Sequence, residues 1–96
     1  MLHVAVLEVR LDLPGVRSLK EKRGIVKSLL ERLRHRFQVA VAEVAHQDHW
    51  QTAGLGVAAI GNDVAVLQGW MQKVVQFIET DGSGVVVVDF RLEFLA

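Results

Sequence analysis

Cysteine is absent from this chain and proline occurs once, at Pro14. The first absence excludes disulfides, thiolate zinc sites and cysteine nucleophiles together. The second, alongside 51% hydrophobic residues, excludes a disordered chain on composition. Long apolar runs are missing too: no stretch approaches the ~20 uncharged residues of a membrane-spanning helix. Met1-Leu2-His3-Val4 lacks the basic opening of a signal peptide, and Arg10 interrupts the only early apolar run. These features predict a soluble, cytoplasmic protein, and 96 residues predict one domain over 1–96.

Net charge is zero, but only in sum. Eight of the eleven Lys and Arg residues fall between Arg17 and Arg36: Arg17, Lys20, Lys22, Arg23, Lys27, Arg32, Arg34 and Arg36. Only Glu21 and Glu31 oppose them there, leaving +6, while the three other cations against nine acids leave the remainder at −6. The molecule is dipolar, and local fields rather than net charge steer polyanions.

Periodicity assigns the elements. Leu2 to Asp12 alternates, with Ala5, Leu7, Val9 and Leu11 against Val4, Val6, Glu8, Arg10 and Asp12, which only a strand explains. Pro14-Gly15 breaks it. Ser18-Leu-Lys-Glu21 has the capping-box pattern, and apolar residues then recur at helical spacing, predicting a helix from Leu19 to about Arg36. Lys22 and Arg36 fall inside its apolar arc, near the helix ends. Phe37–Val44 and Leu55–Ile60 read as short strands joined by the polar segment His46 to Gln51. Gly61-Asn62-Asp63 supplies a turn and an N-cap for a second helix from about Val64 to Thr80, whose inner face is Leu67, Trp70, Met71, Val74, Val75 and Ile78. Gly82 and Gly84 end it. The last strand, Val85–Phe94, sets Val86, Val88, Phe90, Leu92 and Phe94 inward against Val85, Val87, Asp89, Arg91 and Glu93.

The order β-α-β-β-α-β predicts an α+β, ferredoxin-like sandwich: a four-stranded antiparallel sheet with both helices on one face. Its open face would carry Val4, Val6, Val85 and Val87, with Glu43 almost the only charge on the middle strands. An apolar patch of that kind predicts a homo-oligomer, joined face to face or through edge strands. If the outer strands are neighbours, Glu8 faces Arg91 and Arg10 faces Asp89.

Lys20, Arg23, Lys27 and Arg34 share an arc of about 60° on the first helix, preceded by Arg17 at its entry. That stripe, roughly 21 Å long at ~1.5 Å per residue, matches phosphates along a nucleic-acid backbone. A solvated face, or one pairing with acidic residues of the second helix or of a partner, explains the same charges. RNA-recognition motifs share the topology and stack bases on strand aromatics. The corresponding strands here have none, so any RNA contact, ribosomal RNA included, must run through Arg17, Lys20, Arg23, Lys27, Arg34 and the flanking loops.

His46, Asp48, His49 and Trp50 form a second candidate, a partner-contact loop. Its two imidazoles and carboxylate suit a transition metal in type, but an irregular His-x-x-His lacks helical geometry and a further ligand. No metal or cofactor is expected there. Nor does an enzyme emerge: Ser18 is used as a cap, Gly54-Leu55-Gly56 and Asp81-Gly82-Ser83-Gly84 lack phosphate-loop spacing and lysine, and Glu43 is best read as a salt bridge to the basic helix.

Ser18-Leu19-Lys20-Glu21-Lys22-Arg23, Phe37, Ala42-Glu43-Val44, His46-Gln47-Asp48 and Trp50-Gln51 resemble the YlxP-like family of small bacterial domains of unknown function. The resemblance implies a ferredoxin-like fold and a gene often placed near those for translation initiation and ribosome maturation, with no activity attached. The expectation is therefore a non-enzymatic, RNA- or ribosome-associated protein. The alternative is an oligomeric assembly or small-anion-sensing module whose basic helix pairs with a protein partner.

Overall fold

The computed structural model describes residues 1–96. In chain order the elements are β1 (His3–Asp12), α1 (Leu19–Arg36), β2 (Ala40–Ala45), β3 (Thr52–Gly61), α2 (Val64–Thr80) and β4 (Val86–Phe94). The strands form one sheet in the order β2-β3-β1-β4, every pairing antiparallel. This is the expected β-α-β-β-α-β plan. No helix is long and apolar enough to cross a membrane.

One apolar cluster holds the layers together. It takes Ala5, Leu7, Val9 and Leu11 from β1, Ala53, Leu55, Val57 and Ala59 from β3, Val26, Leu29 and Leu33 from α1, and Leu67, Met71, Val74 and Ile78 from α2. Since both helices bury side chains against the same alternate strand positions, both lie on one face of the sheet.

Local signals act as read, with small shifts. The Ser18 hydroxyl accepts from the Glu21 N–H at 3.0 Å, capping α1. The Glu21 carboxylate, however, accepts from Arg17 N–H at 3.4 Å, one residue earlier than in the capping box. Asp63 accepts from Val66 N–H and caps α2, and Gly82 and Gly84 leave it with positive φ.

The strand ends differ from the sequence reading. Phe37 is the C-cap of α1, donating its N–H to Leu33 O, so β2 begins only at Ala40. β3 is longer than its apolar run, because pairing with Asp12 and His3 at its two ends carries it from Thr52 to Gly61.

β4 carries the main correction. Its register against β1 slips between Arg10 and Leu11, so Phe94, Leu92 and Phe90 face Ala5, Leu7 and Val9, but Val87 then faces Leu11. A β-bulge at Val88 inverts the alternation. Val85 and Val87 pack against the core instead of lining the open face, while Val86, Val88 and Phe90, all read as inward, are exposed. Glu8 does oppose Arg91, and Arg10 opposes Asp89. The open face is apolar elsewhere, where Ala40 pairs with Ala58, Ala42 with Gly56 and Val4 with Ile60.

Gly54 and Gly56 belong to this packing. A Cβ at Gly54 would stand 2.8 Å from Ala45 Cβ, and one at Gly56 3.0 Å from Val44 Cγ1. The register of β2 shifts between Glu43 and Ala45. There its side chains lie across β3, leaving no room for a side chain beneath them.

Candidate nucleic-acid interface

The eight cations of the window, Arg17 at the entry and seven on α1, fall into two sets. Two are structural. Lys22, fully buried, puts Nζ 3.0 Å from Glu43 Oε2 and donates a 2.5 Å hydrogen bond to His46 O. The contact with Oε2 is an ion pair rather than an aligned hydrogen bond, and that buried oxygen has no other partner. His46 sits in the left-handed region at φ 60°, uncommon for a non-glycine residue. The ammonium on its carbonyl helps hold that turn, which is closed by His49 N–H to His46 O at 3.0 Å.

Arg32 is the second structural cation. Its Nε and Nη2 donate to Asp81 Oδ1 and Oδ2 at 2.8 and 2.6 Å, a bidentate clamp from α1 to the C-cap of α2. The guanidinium hydrogen bonds hold the Asp81 carboxyl below the usual carboxylate range against the opposing effect of burial. Arg32 is pushed up chiefly by the same hydrogen bonds. Ser83 lends Asp81 a weaker pull, although its buried hydroxyl is not aligned as a full hydrogen bond.

The other six cations of the window meet no carboxylate. Arg17, Lys20, Arg23 and Lys27 are exposed, as the stripe requires. Arg34 is exposed but partly committed, since its Nη2 donates to Val41 O at 3.0 Å on the outer strand β2. That contact also covers part of a sheet edge. Arg36 is exposed at the end of the helix rather than tucked into the apolar arc.

The β2–β3 loop holds the other candidates. His46, Asp48, His49 and Trp50 are all exposed, Trp50 at 52%. The His46 and His49 rings lie 5.4 Å apart, but no third His, Asp or Glu joins them to form a ligand cluster. Gln51 ties the loop down, donating from Nε2 to Val16 O at 3.1 Å. Lys22 with Glu43 and His46, and Gln51 with Val16, thus bring together the two motif segments that are distant in sequence.

The family described as Protein of unknown function (DUF503) matches residues 4–92. The chain belongs to this family. The DUF503 chain is also 36% identical over 63 residues to Uncharacterized protein YlxP of Bacillus subtilis (strain 168), covering 66% of this chain and 68% of that protein. The YlxP-like resemblance read from the motifs is thereby shown. Among solved structures, the de novo designed protein Foldit4 superposes with a TM-score of 0.54 at 12% identity, over 100% of this chain and 98% of that one. The de novo designed protein Ferredog-Diesel gives 0.49 at 12% identity, over 94% and 83%. The first likeness shows the DUF503 fold alone.

Sequence reasoning missed one grouping. Arg36 and Phe37 at the end of α1 face Trp70, Lys73 and Phe77 of α2 across a cleft of ≈ 730 Å³. Trp70, assigned to the inner face, is only half-buried because it turns toward this cleft. The 70-73-77 spacing was a legible signal of one helical stripe. What it faced was not.

Proposed function

We propose that this protein associates with structured RNA, ribosomal RNA being the natural target in the cytoplasm, through the exposed face of α1. The observation that carries the reading is the division of charge on that helix. Lys22 and Arg32 are neutralised by Glu43 and Asp81, while Arg17, Lys20, Arg23 and Lys27 stand exposed without carboxylate partners. Unpaired cations along a helix can replace the counterions condensed on a phosphate backbone. The fold presents them on a frame held by the buried core, so little ordering is required on contact. The YlxP-like gene setting near translation functions agrees with this choice of polyanion.

Fragmented ribosomal RNA, titrated at increasing salt, tests it. Binding should fall steeply with salt and disappear in the Lys20→Glu, Arg23→Glu, Lys27→Glu variant while its circular dichroism stays unchanged. Binding that survives those reversals removes the reading.

A second reading, assembly of the chain with itself, is favoured by the uncovered sheet face. Val4, Val6, Ala40, Ala42, Ala58 and the 70%-exposed Ile60 present apolar surface without a covering element. Sedimentation should then show an oligomer that Ala58→Arg dissociates. A monomer at all concentrations ends this reading and leaves the first untouched.

A further inference from the structure

The cleft between the end of α1 and the flank of α2 has a composition the α1 stripe does not share. Phe37 and Phe77 meet edge to face, with ring centroids 5.8 Å apart and planes at 86°, and both line it together with Trp70. All three rings are half-buried, so each has surface left over for a ligand. Two exposed cations, Arg36 and Lys73, line the same cleft, and neither is paired with a carboxylate. No acidic residue lines it. Lys73 is moreover the only cation of α2. Its position one turn from Trp70 and one turn from Phe77 puts charge and ring on one helical stripe. The Gln76 amide, also lining the cleft, offers both a donor and an acceptor.

Half-buried aromatic rings, two unopposed positive charges and an adaptable amide match the parts of one nucleotide. The base stacks on an aromatic face, the phosphate meets the cations, and the base edge meets the amide. The volume, ≈ 730 Å³, lies within the range of small-ligand sites. An acidic peptide would use the cations and meet the amide through its backbone, but its carboxylate side chains offer nothing that stacks on the rings.

We infer that this cleft receives one unstacked nucleotide of a single-stranded RNA, its base against Trp70 and Phe77 and its phosphate between Arg36 and Lys73. The inference deepens the RNA reading and rests on it for the identity of the polymer, but it uses different residues. It gives a ferredoxin-like sheet without strand aromatics a stacking site on its helical side. The two surfaces share α1, which carries the exposed stripe and ends in Arg36 at the cleft.

Tryptophan fluorescence tests this directly. In a Trp50→Phe background Trp70 is the only tryptophan. A single-stranded ribo-oligonucleotide should quench it saturably, whereas a duplex of the same length should bind without quenching. Lys73→Glu, an exposed change, should weaken single-strand affinity roughly ten-fold more than duplex affinity, and Trp70→Ala should do the same. Trp70→Phe, which keeps a ring, should restore much of the loss.

Quenching that persists in the α1 triple reversal supports the cleft and removes the α1 reading. Equal single-strand and duplex affinity with no quenching supports α1 and overturns the cleft. Quenching by inorganic phosphate or an acidic peptide as strong as by the oligonucleotide overturns the nucleotide assignment. Absence of any RNA binding at low salt overturns both.

Discussion

The ammonium of Lys22 lies 3.0 Å from Glu43 Oε2 and 2.5 Å from His46 O, with no part of the lysine exposed to solvent. One buried charge thereby joins the first turns of α1, the irregular end of β2 and a left-handed turn. Removing either partner leaves the other charge unpaired, Lys22 with no solvent contact and Glu43 with little.

Lys22→Met should therefore destabilise the protein by about 3–5 kcal/mol, the usual cost of orphaning one member of a buried pair. The double variant Lys22→Met, Glu43→Leu should recover most of that loss in urea unfolding. A single variant as stable as the parent would show that the pair holds no strain against solvent.

Asp81 gives a pH dependence with a definite sign. Its folded pKa lies below the ordinary carboxylate value, chiefly because Arg32 donates to it. Stability from this pair is thus fully present above about pH 4, where the unfolded carboxyl is ionised, and is lost as pH falls through the folded pKa. Because Arg32 is 39% exposed, the contribution is screened and on the order of 1 kcal/mol. Asp81→Asn should flatten the acid limb of the stability profile while costing little below it.

Gly54→Ala should destabilise by about 1–3 kcal/mol, since the new Cβ would meet Ala45 Cβ at 2.8 Å and neither group can rotate away. Gly56→Ala should cost less, its 3.0 Å neighbour being the Cγ1 of Val44, which is exposed. Thermal unfolding of the two variants measures the difference. An equal or reversed order would mean that β2 shifts freely over β3.

On the proposed RNA reading, the salt slope of binding counts phosphates. With three contacts from Lys20, Arg23 and Lys27, the logarithm of affinity should fall with the logarithm of salt at a slope of about −2 to −3. Lys27→Ala should lower its magnitude by roughly one contact. Lys22→Met, if folded, should leave the slope unchanged, because the buried lysine cannot release a counterion.

Much of this molecule is written in local pattern. Apolar periodicity, Ser18, Asp63 and the two glycines after α2 place both helices, because caps and helical spacing act over a few positions. Alternation likewise determines β1 and, with the element order, the ferredoxin-like plan. What only the tertiary structure decided are the relations between distant segments. The bulge at Val88 turns Val87 inward because β4 must keep register with β1 on both sides of Arg10–Leu11. Lys22 and Lys20 look equivalent in a basic run, yet one is buried against Glu43 and the other is solvated, since two positions along a helix point to nearly opposite sides. Trp70 reads as core until the end of α1 is placed beside it. Sequence shows a charged helix; the packing of that helix decides which charges remain available to a partner.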